Sequence, residues 1–414
     1  MSAATLMTGF ALLLMWLLAS GTLLAAYHRR LLLAWWHEPV LRRPVLIFES
    51  DDWGPGDDVH ARALHNLADV LAAYRDSDGR HPVATLGIVL ALADTARIRE
   101  TEINAYFRRS LAEYTSVLAA MLTGVERGVF ALQLHGLEHY WAPSLLALAK
   151  CDSQLKDWLT TPGLPRTEML PPALQSRWID AVSLPSRPLS DDEIEAAVSE
   201  EVAAFRAIFH VTPTVVVPPT FVWTPAVERA WARHGIRYLV TPGRRYGARD
   251  GHGRPVAEGA LVNGGHGEAG MMYLVRDDYF EPARGHTAAR GLQALQMKTR
   301  LGRPALLEMH RFNFIDEPAV AEHASDEIRA LLDAALAAYP AVAFLSSEAL
   351  GRCLEKRDPL WVEQDHHRRL GMWAARVRAH HGLWRWSRLT GLGLAVWVLW
   401  IFCARGQDGA GGKS

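Results

Sequence analysis

The chain has 414 residues, half of them apolar and about a fifth charged, with 44 basic residues against 45 acidic ones. That length holds a catalytic domain of roughly 250 to 300 residues with segments to spare, and a near-zero formal charge with both signs scattered excludes a nucleic-acid binder working through a global basic field. Three cysteines, Cys151, Cys353 and Cys403, lie far apart, so neither a disulfide framework nor a thiolate zinc site can be built from them and any metal must use His and carboxylate.

In chain order, residues 1–28 come first, uncharged from Ala3 to Tyr27, long enough to cross a hydrocarbon core of about 30 Å as a helix. A cleaved signal peptide is the competing reading, against which stand the missing positive n-region and the length of the apolar run. A basic juxtamembrane segment follows at 29–43, with Arg29, Arg30, Arg42 and Arg43. The catalytic domain is expected at 44–355 and a basic amphipathic segment at 356–386. A second transmembrane helix is expected at 387–404, of spanning length only if Trp384 and Trp386 sit in the interface while Arg385 and Arg388 snorkel; a surface-lying tail is the alternative. A short tail, 405–414, ends the chain. Flanking Lys and Arg resist translocation, which predicts an integral protein of a bacterial inner membrane with the middle of the chain on the cytoplasmic side. The basic, Trp-rich flanks also make membrane lipid an expected partner.

Between Pro44 and Leu354 short β-rich apolar runs alternate with longer segments of helical period, the pattern of parallel strands with crossover helices. Eight strands are predicted: Val45 to Glu49, Val83 to Val89, Val129 to Leu134, Thr214 to Val217, Ile236 to Val240, Met272 to Val275, Ala305 to Met309 and Val342 to Leu345. The clearest helices are Asp57 to Arg75 and Asp191 to Phe209, the second opening on a Ser190–Glu193 capping box. Thr224-Pro225 opens another, which Gly235 closes. The expected fold is α/β, a distorted (β/α) barrel of seven or eight strands flanked by the two transmembrane helices, with an open doubly wound sheet as runner-up. Pro242 to Gly270 reads as a Gly-rich loop and Thr160 to Pro188 as a Pro-rich connection.

Polar residues follow the strands. Asp51 and Asp52 come after VLIFE, His135 and His139 after FALQL, Pro218, Pro219 and Phe221 after TVVV, Asp277 and Asp278 after MMYLV, and His310 after PALLEM. The C-terminal ends of parallel strands in a barrel share one rim, so these residues converge there although they span some 260 positions. Adjacent carboxylates such as Asp51-Asp52 are costly to ionise together unless a cation or proton relieves them. Two imidazoles spaced i, i+4 plus one carboxylate leave a coordination position open for water, as catalytic metal sites do. Taken alone, an HxxxH pair is more often ordinary surface or core histidine, and a DD pair a cap or turn.

Together these motifs resemble the polysaccharide deacetylase superfamily, metal-dependent carbohydrate esterases on an incomplete (β/α) barrel, over about Pro44 to Leu350. The resemblance implies Asp51 as general base, Asp52, His135 and His139 as ligands of a divalent metal, Zn2+ being the expected ion, and His310 as general acid. Its expected reaction is metal-dependent removal of N-acetyl groups from a membrane-associated or lipid-linked glycan. Gly136 stands where that family has Ser or Thr, and no Arg precedes Pro218-Pro219; Arg276 or Arg311 is the candidate replacement. Asp277 or Asp278 is the loose counterpart of the Asp that tunes the catalytic His. The candidate substrate contacts are Trp53, Pro219, Phe221, Trp223 and Arg311, with rim packing the alternative for the aromatics. Two other functions stay open: a metal-independent glycoside hydrolase on a similar barrel, depending on Glu138 or Glu308, and an inactive membrane-bound glycan-binding protein.

Overall fold

The computed structural model describes residues 3–404; the tail expected at 405–414 lies outside them. Nine strands make the main sheet: β1 (Val45–Trp53), β2 (Ala84–Ile88), β3 (Phe130–Leu134), β4 (Val215–Val216), β5 (Tyr238–Thr241), β6 (Met272–Val275), β7 (Asp278–Tyr279), β8 (Ala305–His310) and β9 (Ala343–Phe344). They lie in the order β6-β5-β4-β3-β2-β1-β8-β7, with β9 paired to the start of β1. Every pairing is parallel, and the curled sheet makes the expected distorted barrel an incomplete one. At its seam the chain itself crosses, because only Arg276 and Asp277 separate β6 on one edge from β7 on the other.

The side-chain period of two in a strand sorts residues between the two faces. Leu46 and Phe48 of β1, Leu307 and Met309 of β8, and Leu239 of β5 join the core shared with the outer helices. Their neighbours Val45, Ile47, Leu306, Val240 and Leu274 form a separate apolar layer on the concave side, closed by Leu350 and Leu354 of the helix Ser347–Glu355. Further along the same strands the concave positions turn polar: Glu49 and Asp51, Gln133 and His135, Glu308 and His310. One face thus carries an apolar plug at the N-terminal ends and a charged layer at the C-terminal ends, and the charged layer is the candidate site.

The helices Asp58–Ala72, Thr115–Glu126, Asp191–Phe209, Pro225–Arg233 and Pro318–Ala338 cover the outside, each placing apolar residues in the outer core. Asp57 caps the first, accepting from Val59 N at 3.0 Å, and the Ser190–Glu193 capping box starts the Asp191 helix, each satisfying backbone donors with no partner in the helix. The segment predicted as a loop, Pro242 to Gly270, instead contains an antiparallel hairpin, Arg244–Arg249 with Pro255–Ala260. All six residues of its second strand are exposed, so no apolar alternation announces it, and an ion pair between Arg245 and Glu258 at 3.0 Å lies across it.

At the N-terminus Ala3–Tyr27 is one helix, apolar and long enough over Thr5–Tyr27 to cross a membrane, a test that a signal sequence also passes. The second expected span is corrected. Leu392–Ala404 has 13 residues, about 20 Å of helix against a core of about 30 Å. Gly391, at φ +83°, separates it from the helix His381–Leu389, so Trp384 and Trp386 do not extend it.

Candidate functional site

Two consecutive side chains of a regular strand point to opposite faces, yet Asp51 and Asp52 both line one pocket. The reason is local: the pairing of β1 with β2 shifts register between Ser50 and Trp53, and Asp52 adopts φ +70°. A bulge of this kind re-aims a side chain at a barrel rim, and a left-handed conformation for a non-glycine residue is strain of the sort stored at functional sites. Gly87 on β2 makes the room, since a Cβ there would stand 2.3 Å from Asp51 Oδ1.

Asp52, His135 and His139 come together, with one potential ligand atom from each within 4.8 Å of the others. Asp52 Oδ1 is 3.3 Å from His135 Nε2 and 3.4 Å from His139 Nε2, and it is buried with no hydrogen-bond partner. His135 Nδ1 lies 2.8 Å from the Val217 carbonyl; a carbonyl only accepts, so Nδ1 carries the proton and Nε2 faces the carboxylate. Burial pushes His139 down to about 4 despite Asp52, leaving it a neutral imidazole. Burial presses His135 the same way, but the carboxylates of Asp51 and Asp52 outweigh it and raise its pKa. Against burial, the surrounding imidazoles hold Asp52 well below the usual carboxylate range. Two nitrogens and an orphaned carboxylate oxygen converging on one point fit a divalent cation with open positions. Gly136, at φ +104°, turns the loop between the two histidines, and a Cβ there would lie 2.8 Å from the Glu138 carbonyl. A Ser or Thr at that position is excluded by this backbone.

Beside the triad, Arg276 is buried at the barrel seam. Its Nη2 donates to Asp51 Oδ2 at 2.6 Å, its Nη1 to Glu49 Oε2 at 3.0 Å, and its Nε lies 3.2 Å from Glu308 Oε2. Burial alone would push Asp51 up, but Arg276 and His135 bring it below its usual value. Glu308 is pushed up to about 7, burial prevailing over Arg276 and His310. His310 is raised to about 10, against burial, chiefly by Glu281, whose Oε1 is 2.5 Å from His310 Nδ1. Asn313 donates to both Glu281 and the His310 carbonyl. Sequence reasoning passed over Glu49 and Glu281 and gave Glu308 only to a rival reading. The signal for Glu49 and Glu308 was a carboxylate inside an apolar strand in VLIFES and ALLEMH, which burial alone would forbid unless it were paired.

The pocket encloses about 400 Å³, walled by Phe221, Phe312, Tyr279 and Glu168. Phe221 also lies under the Arg276 guanidinium, 5.1 Å from it. Other expected contacts are corrected. Trp53 is wholly buried, bonds to Ser50 Oγ at 2.9 Å and stacks on Phe314. Trp223 is wholly buried too, donating to Glu228 at 2.7 Å, so no sugar reaches either ring. Pro219 is buried and outside the lining, where Pro218 and Thr220 stand instead. Arg311 points to Glu168, 3.3 Å away, and reaches the pocket only through it. Asp277 and Asp278 pair with Lys298, leaving the place beside His310 to Glu281.

Comparison with known proteins gives one family match, to the model described as Glycosyl hydrolase family 57, over residues 163–279. No curated protein matches the chain. Solved structures of similar fold include a 4-alpha-glucanotransferase from Thermococcus litoralis, at 10% identity over 74% of this chain and 40% of that one, TM-score 0.39. A family 4 carbohydrate esterase from Streptomyces lividans in complex with acetate shares 11% identity over 72% of this chain and 91% of that one, TM-score 0.35. The peptidoglycan deacetylase PdaC from Bacillus subtilis shares 10% over 77% and 94%, TM-score 0.35. Likeness this distant carries nothing about chemistry. The family match corrects the expected membership of the polysaccharide deacetylase superfamily and the expected removal of N-acetyl groups. In their place it favours the other reading, action on a glycosidic bond.

Proposed function

We propose that this chain is a carbohydrate-active hydrolase that cleaves a glycosidic bond in the pocket at the C-terminal rim of the barrel. The observation that carries the proposal is that one guanidinium, Arg276, holds Asp51 and Glu308 together on the floor of an aromatic-walled pocket. Glycosidic cleavage uses two carboxyl groups about 5 to 9.5 Å apart, one protonated and one ionised, and paired carboxylates driven apart in pKa by their surroundings are how a site supplies both. The segment matched by the glycosyl hydrolase model also contributes Glu168, Phe221, Arg276 and Tyr279 to this pocket.

In this proposal Glu308 keeps its proton near neutral pH and gives it to the departing glycosidic oxygen. Asp51, ionised against Arg276, serves as the nucleophile or as the base that activates water. His310, cationic beside Glu281, steadies the charge of the carboxylates around it. Asp52, His135 and His139 hold a divalent cation, Zn2+ by the nature of the donors, which when bound supplies a Lewis-acidic position for sugar hydroxyls. Phe221, Phe312 and Tyr279 offer faces for the sugar rings, and in this reading the apolar helix Thr5–Tyr27 serves as a membrane anchor.

The test is incubation of the purified full chain with a panel of glucose, mannose and N-acetylhexosamine oligosaccharides, followed by chromatography of the products. Shortened chains from the wild type, absent with Glu308→Gln and Asp51→Asn, are the expected result. Acetate release with every glycosidic bond intact, or cleavage indifferent to both substitutions, overturns the proposal.

A further inference from the structure

A second cavity lies at the opposite end of the barrel from the catalytic rim. It encloses about 1200 Å³ between the segments that lead into β1, β8 and β9 and the helices that follow the barrel. Val40 to Pro44 run straight into Val45, Thr299 to Arg303 precede Ala305, and Tyr339 and Ala341 precede Ala343. The far wall comes from the helix His366–Ala379, with Trp384 and Trp400.

Its charge is one-sided. Glu363 is the one acidic side chain in the lining, and Arg368 neutralises it at 3.2 Å. Arg303 and Arg43 spend their charge on Glu38 and Asp78, outside the cavity. That leaves Arg42, Arg300 and Arg378, for which no carboxylate partner exists among the described residues. Arg378 lies 4.1 Å from the Trp400 ring and 5.4 Å from the Trp384 ring, and its Nε is buried without a hydrogen-bond partner. Three cations around one cavity repel one another unless an anion joins them.

The surroundings say which anion. Trp400 belongs to the apolar helix Leu392–Ala404, whose outer face exposes Leu394 and Trp397. That helix meets the N-terminal one, where Trp16 donates to the Thr390 carbonyl at 3.1 Å and Leu392 packs near Gly21. Buried Arg376 fastens the assembly to the barrel by donating to the carbonyls of Trp35, Glu38, Pro39 and Leu301. Arginine beside tryptophan where apolar helices leave a folded domain is the composition of a headgroup layer.

We propose that this cleft binds the phosphate of an anionic phospholipid headgroup, which seats the N-terminal rim of the barrel on the membrane. From Val45 to Asp51 the strand climbs about 20 Å, so the lipid is a seat and not a substrate, and the catalytic pocket opens away from the bilayer toward glycan held off its surface.

The full chain in detergent micelles, given phosphatidylglycerol or phosphatidylcholine of matched acyl chains, tests this by native mass spectrometry of the lipid retained. Phosphatidylglycerol held at least tenfold more tightly, with a loss of roughly fivefold per arginine in Arg42→Gln, Arg300→Gln and Arg378→Gln, is expected. Arg42 and Arg300 are exposed and Arg378 is half-buried, so the first two variants keep the test valid where Arg378→Gln fails to fold. Equal retention of both lipids, or unchanged retention in the Arg42 and Arg300 variants, overturns the proposal. So does displacement of the lipid by millimolar inorganic phosphate, which would mark a site for free anions.

Discussion

Arg276 and Asp51, 225 positions apart in the chain, are joined by a 2.6 Å hydrogen bond on the floor of the pocket. The guanidinium is the counter-charge of Glu49 and Glu308 as well, and burial raises the stakes of each contact. Replacing Arg276 with Met removes the one guanidinium that Asp51, Glu49 and Glu308 share. Breaking a buried pair from one side costs about 3–5 kcal/mol, and denaturant unfolding of the full chain at neutral pH is expected to show a loss of that size. Part of it should return as pH falls, since the abandoned carboxylates then take up protons. A variant as stable as the wild type would mean that the clamp is not holding the site.

How much of this was legible beforehand depended on whether a signal was local. Asp52, His135 and His139 stood out because they lie just past apolar runs, and strand ends converge by topology. Glu281 gave no such sign, since its partnership with His310 arises only where the chain bends back after β7. Asp277 and Asp278 looked better placed, yet a lysine one helix away claims both. The second membrane span failed for a similar reason: composition spoke for it, but one glycine in the left-handed region divided it.

Aromatic residues beside motifs read alike whether they face core or pocket, and two substitutions separate them here. Trp53→Ala removes a fully buried ring stacked on Phe314, so about 3–5 kcal/mol of stability is expected to go, with KM unchanged in whatever protein stays folded. Phe221→Ala acts on the pocket wall, and its expected effect is a raised KM with a smaller change in stability. Steady-state kinetics set beside thermal unfolding checks both; the opposite pattern would return Trp53 to the substrate.

Metal binding can be read without any substrate. A cation held only by the folded chain stabilises it by about 2.7 kcal/mol at a hundredfold excess over Kd. Added Zn2+ should therefore raise the unfolding temperature of metal-stripped wild type and leave His135→Ala unmoved. Gly136→Ser should behave like the histidine variant, because a Cβ at φ +104° drives into the Glu138 carbonyl and displaces the loop that carries His139. Elemental analysis giving one metal per chain in all three proteins would remove Asp52, His135 and His139 from the role.

The sharpest prediction concerns Glu308, because one shift bears on activity and on stability at once. Its carboxyl is raised from 4.5 to about 7 by burial, so as the proposed acid it is protonated below that pH and lost above it. Turnover should fall about tenfold per unit as pH climbs past 7, and Glu308→Gln should lower it by roughly 10²–10⁴ and abolish that limb. For folding, a group whose pKa is higher in the native state contributes its full stability below the unfolded value near 4.5 and loses it as pH rises through 7. The size follows from the shift: unfolding free energy should drop by about 3 kcal/mol across that window relative to Glu308→Gln. Parallel stability profiles for the two proteins between pH 4.5 and 8 would mean that Glu308 is ionised throughout, and the proton for the leaving oxygen would then have to come from His310.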